Sequence, residues 1–203
     1  MSSPLRSRFP YSGTLLVSLL LLSLTGCGIN NIPTDYQRVQ ASWAQVQNEY
    51  QRRADLVPNL VATVKGYAKH EADVLEAVTQ ARAKVTQMQV PANILTNPQA
   101  FHQFEQNQGA LSNALSRLMV VTENYPNLKA DQNFLTLQSQ LEGTENRIAV
   151  ARRDYILAVQ QYNTELTTIP GRWYRSMFYS DKRPLQNFTA TTPNAEQAPK
   201  VQF

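Results

Sequence analysis

The sequence predicts an all-α fold, an antiparallel up-and-down bundle of long helices. Three observations carry this expectation. Glycine is scarce, at 7 of 203 residues, while good helix formers such as Ala, Gln, Leu and Glu fill the body of the chain. Apolar residues recur at alternating spacings of three and four, the signature of one buried helix face. Caps and prolines then divide the chain into helix-length pieces. The division gives four helical segments, or three if the first two form one kinked helix.

The first element is a targeting segment. Met1–Gly13 carries Arg6 and Arg8 and no acid, and Leu15–Leu24 is apolar except for Ser18 and Ser23. A basic start, a short apolar run and small residues before a cleavage point describe a secretory signal peptide over residues 1–26. About ten apolar residues are too few to span a hydrocarbon core, which takes about 20. The run ends in Leu24-Thr25-Gly26-Cys27, and Cys27 is the sole cysteine. That pattern resembles the lipobox of bacterial lipoproteins. The resemblance implies cleavage between Gly26 and Cys27 and acyl transfer to the Cys27 thiol, with several chains giving a stable anchor. With one cysteine, no intrachain disulfide can form, so stability must come from packing.

Residues 27–33 read as a lipidated tether, 34–169 as the bundle, and 170–203 as an aromatic and basic segment followed by a mobile tail. Thr34 or Asp35 is a plausible cap for the first helix. Its apolar face is Tyr36, Val39, Trp43, Val46 and Tyr50. It should end near Arg52–Arg53, where cations suit the negative end of the helix dipole. Asp55-Leu56-Val57-Pro58 then reads as a new start, with Asp55 as cap and Pro58 in the first turn. The second helix runs Leu56–Met88 on a face of Leu60/Val61, Val64, Tyr67/Ala68, Val74/Leu75, Val78, Ala81 and Val85. The alternative is one kinked helix over 35–88. It would be about 80 Å long beside a much shorter neighbour, so the break is preferred.

Pro91–Asn97 is a loop, and Asn97-Pro98 is a cap followed by proline at the first helical position. The third helix presents Phe101, Phe104, Leu111, Leu115, Leu118 and Val121/Thr122, and stops before Pro126. The fourth starts near Asp131 and has the most regular face, from Phe134, Leu137 and Leu141 through Ile148, Ala151 and Tyr155 to Ala158/Val159, Tyr162, Leu166 and Ile169. Such spacing suits left-handed, coiled-coil-like packing. Pro170-Gly171 ends it. Residues 180–203 are rich in Thr, Pro, Asn, Gln and Ala and read as the mobile tail. A glycosylation match at Asn187-Phe188-Thr189 has no meaning in a bacterial lipoprotein.

Charge excludes little but excludes nucleic acid. The formal net charge of +4 falls to about +2 once Arg6 and Arg8 leave, and the cations alternate with acids along the chain. The residues offer no catalytic or metal site and imply no cofactor. His70 and His102 lie in different helices without ligand-spaced companions, and Lys69-His70-Glu71 lacks the second histidine of a zinc-protease helix. No serine sits in a nucleophile-elbow pattern, and no glycine-rich phosphate loop occurs. Glu142 and Glu145 read as solvated, or as paired with Arg147, Arg152, Arg52 or Arg53.

Two surfaces stand out. Arg52, Arg53, Asp55 and Asn59 crowd the expected hairpin, where they either cap helix ends or form a partner-binding patch. Arg172, Trp173, Tyr174, Arg175 and Phe178 mix aromatic rings with arginine, as suits a lipid headgroup zone. They touch the membrane surface or else plug the open end of the bundle. An up-down-up-down bundle puts them at the Cys27 pole. The turn at Arg53–Asp55 would then stand roughly 35–45 Å away.

The blocks Arg52-Arg53-Ala54-Asp55-Leu56-Val57-Pro58-Asn59-Leu60-Val61, Val64-Lys65-Gly66-Tyr67-Ala68-Lys69-His70-Glu71 and Tyr125-Pro126-Asn127-Leu128-Lys129-Ala130 resemble the LemA family. So do Asn133-Phe134, Leu141-Glu142-Gly143-Thr144-Glu145-Asn146-Arg147-Ile148-Ala149-Val150-Ala151-Arg152-Arg153 and the end, Ala198-Pro199-Lys200-Val201-Gln202-Phe203. The resemblance covers about residues 35–203. It implies a helical bundle attached to a membrane and brings no defined activity. Many relatives use an N-terminal transmembrane helix where this chain has a lipobox. The expectation is a non-enzymatic scaffold of the bacterial cell envelope, held to the bilayer through acylated Cys27 on the extracytoplasmic side. Its partner would be another envelope protein or a second copy of itself. Membrane shaping by self-assembly is the alternative, with small-molecule binding or catalysis a more distant one.

Overall fold

The structure, a computed structural model, describes residues 28–189. The signal peptide expected over residues 1–26, the expected lipidation site Cys27 and residues 190–203 lie outside the described residues. Within them the chain is all-α, with no strand. Six α-helices follow one another: α1 (Asn31–Tyr67), α2 (Ala72–Gln87), α3 (Pro98–Thr122), α4 (Pro126–Lys129), α5 (Gln132–Thr167) and α6 (Gly171–Phe178). A single 3₁₀ turn, Ile94–Thr96, precedes α3.

Helices α1 and α5, of 37 and 36 residues, form the antiparallel spine, each about 55 Å long. Matched contacts fix their register. Asp35 accepts from Gln161 at one end, Arg147 pairs with Glu49 in the middle, and Tyr67 donates to Asp131 at the other end. We call the Gly28 end the upper pole and the Tyr67 end the lower pole. Helix α2 runs back up the lower half of α1, and α3 descends beside α2.

The expected break at Arg53–Asp55 does not occur. Helix α1 continues through Pro58, and the chain turns only at Ala68–Glu71. Proline has no N–H to donate, so the carbonyl four residues back, on Ala54, loses its helical partner. Arg82 of α2 replaces it, donating from Nε to that oxygen at 2.9 Å. Pro58 itself is exposed, so its ring meets no neighbouring helix. The start of α1 also differs. Asn30 is the cap, Pro33 lies in the first turn, and Asp35 is a buried helical residue bonded to Arg38 and Gln161. Asn31–Pro33, expected as the end of the tether, thus belong to α1.

Other local signals hold. The Asn97 side chain accepts from the amides of Gln99 and Ala100, opening α3 with Pro98 at its start. The Asp131 side chain accepts from the Phe134 amide and opens α5. That bond first, then the Tyr67 hydroxyl, holds the Asp131 carboxyl below its usual range.

The core divides in two. The upper part is aromatic, with Trp43 touching the rings of Phe101, Phe104, Tyr155 and Phe188 at centroid distances of 5.7, 5.1, 5.4 and 6.3 Å. The lower part is aliphatic, built on Val57, Leu60, Val64, Leu75, Val78, Leu111, Leu115 and Leu118, with Phe134 as its fully buried ring and Tyr125 at its edge. Phe188 belongs to the segment expected as tail. Residues 182–189 instead run extended down the seam between α3 and α5, burying Leu185 and Phe188. Backbone and side chains pin them. The Gln186 amide donates to the Leu95 carbonyl at 2.7 Å, and the Gln186 carbonyl accepts from the Tyr155 hydroxyl at 2.7 Å. Asn163 bonds both the amide and the carbonyl of Leu185.

Candidate functional site

Two places on the molecule combine unusual burial, charge and exposure. The first is a polar layer between the two cores. Arg53 is 2% exposed, although arginine is seldom buried without partners. Its Nη1 donates to Glu145 at 3.1 Å and to Ser112 Oγ at 3.2 Å. Its Nη2 donates to the Gln108 carbonyl at 3.1 Å and to Gln108 Oε1 at 2.7 Å. The guanidinium also lies 5.0 Å from the centre of the Tyr50 ring. Four of its five N–H groups are thus directed at two neighbouring helices, α3 and α5. Nε alone has no partner. One turn higher in register, Glu49 pairs with Arg147, which also donates to the buried Thr144 hydroxyl.

This layer floors a groove. A cavity of about 780 Å³ lies between α3 and α5, with Tyr50 and Arg53 at its base and His102, Glu105, Glu145 and Arg152 on its walls. It continues downward into a second cavity of about 600 Å³ between Ser116 and Met119 of α3 and Gln138 and Leu141 of α5. Ser112 and Glu145 line both, so the two form one channel along the seam. Above them the same seam is filled by residues 182–189. Burial pushes the Glu105 carboxyl up, opposed by the Thr189 amide, Arg152 and His102. Burial pushes the Tyr155 hydroxyl up strongly, with the Glu105 charge adding to it, so it stays protonated and keeps donating to Gln186. Tyr162 is pushed up to about 12 by burial.

The expected patch is dispersed by this arrangement. Arg53 is in the floor of the groove, whereas Arg52, Asp55 and Asn59 are exposed along the middle of α1 and not at a hairpin. Asp55 accepts only from Gln51, four residues earlier on the same helix. The turn at the lower pole is Ala68–Glu71, paired there with Thr122–Asp131. Glu145 takes Arg53 as partner, one of the pairings expected, and Glu142 accepts from Gln138. His70 is in the lower turn and His102 on the groove wall. Among the described residues no group of three or more His, Cys, Asp or Glu is arranged to hold a metal ion.

The second place is the upper pole. Helix α6 carries all five of the aromatic and basic residues singled out, Arg172, Trp173, Tyr174, Arg175 and Phe178. Trp173, Met177 and Phe178 are 59, 72 and 57% exposed, which is uncommon for three large apolar side chains on one short helix. Tyr174 turns inward and packs on the aromatic core. The corner before α6 is tight: a Cβ at Gly171 would overlap the backbone carbonyl of Glu165. A Cβ on Gly28 would lie 3.0 Å from the Tyr174 ring, so the start of the described chain and α6 share this pole. Ile169, expected on the buried face of α5, is 64% exposed beside them. No helix of the described residues is long and apolar enough to cross a membrane.

Both places lie within residues 42–203, the part of the chain that matches a known family. Magnetosome protein MamQ 2 of Paramagnetospirillum magneticum is 32% identical over 95 residues, covering 44% of this chain and 35% of the relative. Protein LemA of Metamycoplasma hominis is 24% identical over 140 residues, 68% of this chain and 59% of the relative. Magnetosome protein MamQ of Magnetospirillum gryphiswaldense is 23% identical over 190 residues, 83% of this chain and 70% of the relative. The chain thus spans about a third of the first relative and three-fifths of the second. Residues 42–203 match the LemA family model, and the chain belongs to the LemA family.

Proposed function

We propose that this protein is a lipid-anchored scaffold of the bacterial cell envelope, without catalytic activity, that stands on a membrane by its upper pole. The observation that carries the reading is the meeting of Gly28 and α6 at that pole. Cys27, the residue with the lipobox context, is the neighbour of Gly28. Trp173, Met177 and Phe178 expose apolar surface there, flanked by Arg172 and Arg175. Acyl chains and this helix would grip one bilayer surface. The aromatic rings suit the headgroup boundary and the arginines suit anionic lipid. The lower pole and the sides of the bundle remain free for a protein partner.

Mass spectrometry of the protein extracted from bacterial membranes tests the anchor. The expected N-terminus is an acylated Cys27, and Cys27→Ala should move the protein out of the membrane fraction. An unmodified, uncleaved chain would overturn the anchor. The contact of α6 is tested by emission of the lipidated protein on vesicles with and without anionic lipid. Trp43 is buried and Trp173 is exposed, so a blue shift that disappears in Trp173→Phe reports the helix. Absence of any shift would sink the contact while leaving the anchor standing.

A further inference from the structure

Helix α6 and the extended strap of residues 182–189 are one piece of chain, joined by the short turn of residues 179–181. The turn is tied from both sides. The Lys182 amide donates to the Tyr179 carbonyl at 3.0 Å, and Arg175 Nε on α6 donates to the Lys182 carbonyl at 3.0 Å. The Lys182 ammonium lies 4.9 Å from the centre of the Tyr36 ring on α1. From there the strap descends antiparallel to α5. Leu185 is bonded at Asn163, Gln186 at Tyr155 and Leu95, and Phe188 lies under Arg152, whose guanidinium is 4.4 Å from the ring centre. The Thr189 amide donates to the Glu105 carboxylate, and both residues line the 780 Å³ cavity. The strap therefore connects the upper pole to the mouth of the groove, about 20 Å along α5 from Leu166 to Arg152.

Helix α6 turns different faces to its two neighbours. Trp173 and Met177, four residues apart, share the exposed face. Tyr174 and Arg175 are half-buried, the first against the upper core and the second on the strap. A surface that binds the exposed face leaves these inward contacts intact. With eight residues, α6 is too short to hold itself in water, where isolated helices below about 12–15 residues are marginal. The face of Trp173 and Met177 is thus formed only while Tyr174 and Arg175 hold α6 to the bundle.

We infer that bilayer contact of α6 and seating of residues 182–189 are one linked equilibrium, in which a membrane at the upper pole locks the strap and fixes the mouth of the groove. The inference rests on the membrane contact proposed above. An extended segment held by single bonds to its walls opens locally before the helices do. Opening breaks the bond between Arg175 and Lys182 and removes a support of α6. A bilayer that binds folded α6 draws the population toward the seated strap. The coupling is reciprocal, so whatever loosens the strap weakens the contact of α6 by the same factor. Thr189 and Glu105 then hold the groove's mouth in one shape on the membrane and in a range of shapes away from it.

The test uses the full lipidated protein in phosphatidylcholine vesicles with and without phosphatidylglycerol. Amide exchange in residues 182–189 is followed by mass spectrometry, and Trp173 emission is read on the same samples. Where the emission shifts to the blue, exchange in residues 182–189 should slow by roughly fivefold or more, the lower end of ordinary coupling between sites. Exchange around Leu111 and Leu115 in the lower core should stay the same. The reciprocal arm alters the strap at a distance from α6. Asn163→Ala removes both bonds to Leu185 and should diminish the emission shift at a given phosphatidylglycerol content. Tyr155→Phe keeps the ring in the core, removes only the bond to Gln186, and should act in the same direction by less. A blue shift with unchanged or faster exchange in residues 182–189 overturns the linkage and leaves the membrane contact standing. Variants whose strap exchanges faster while their emission shift equals the parent's overturn it as well. Absence of a shift on either vesicle removes the contact and the linkage together.

Discussion

The upper and lower halves of this bundle share two helices, α1 and α5, yet close around different chemistry. In the lower half α2 lies between α1 and α3, and branched aliphatic side chains fill the ordinary spacing of packed helices. In the upper half α2 is absent, because it ends at Gln87, little more than one turn above Arg82, which meets Ala54. The gap is bridged by rings: Trp43 reaches Phe101 and Phe104 across it, and Phe188 enters from the side on an extended segment. The contrast teaches that residue size follows helix count. Three helices leave a space that leucine cannot fill, and large aromatics plus a strap of chain can.

The largest effect expected is at Trp43. Trp43→Ala removes the hub of four ring contacts and should cost about 3–5 kcal/mol. It should also raise amide exchange in residues 182–189. Leu111→Ala in the lower core should cost about 2–5 kcal/mol without loosening that segment, because four helices there hold their own register. Exchange mapped by mass spectrometry separates the two. If both variants loosen residues 182–189 equally, the halves are one cooperative core and the comparison fails.

The polar layer dividing the halves comes next. Arg53→Ala abandons the carbonyl and side chain of Gln108, both buried contacts, and should cost about 3 kcal/mol in urea unfolding. Arg53→Met restores part of the volume but orphans the same Gln108 acceptors, so it should cost nearly as much as Arg53→Ala. A small loss in Arg53→Met would mean that filled volume, and not the hydrogen bonds of the layer, holds α1, α3 and α5 together.

The support of Pro58 is testable by a double-mutant cycle. Arg82→Met orphans the Ala54 carbonyl and should cost about 1.5–3 kcal/mol. In the Pro58→Ala background residue 58 can donate to that carbonyl again, and the cost of losing Arg82 should shrink to a few tenths. Equal costs in both backgrounds would refute the replacement bond.

The smallest effect is electrostatic and belongs to the upper half. Glu105 is raised above its usual range, chiefly by burial. A raised acid contributes stability below its unfolded value, and that contribution is lost as pH rises through the folded value. Glu105→Gln should therefore be slightly more stable than the parent at neutral pH, and the difference should vanish as pH falls below the ordinary carboxylate range. A parent more stable at pH 7 would show that the Thr189 contact outweighs burial.

Much of this architecture was legible residue by residue. The buried faces of α1, α3 and α5 follow the three-four spacing almost throughout, and the caps at Asn97 and Asp131 sit where the sequence puts them. The misreadings have one cause. Pro58 is a valid break signal locally, and its rescue comes from Arg82, 24 residues away. Residues 182–189 lack periodicity because an extended strap needs none; Leu185 and Phe188 were the only hint of burial. Arg53 looks like a surface cation in a polar run, since nothing adjacent reveals that Gln108 and Glu145 will surround it.

The sequence by itself determined that this chain is a helical bundle, which faces of its helices are buried, and where most of them begin. These are consequences of short-range periodicity and of single residues acting on their own backbone. Tertiary structure alone decided that α1 survives its proline, that an arginine lies between two cores, and that an extended segment closes the upper seam. Each of those depends on a donor, an acceptor or a volume supplied by a distant part of the chain, and no local pattern encodes what only folding brings within hydrogen-bond reach.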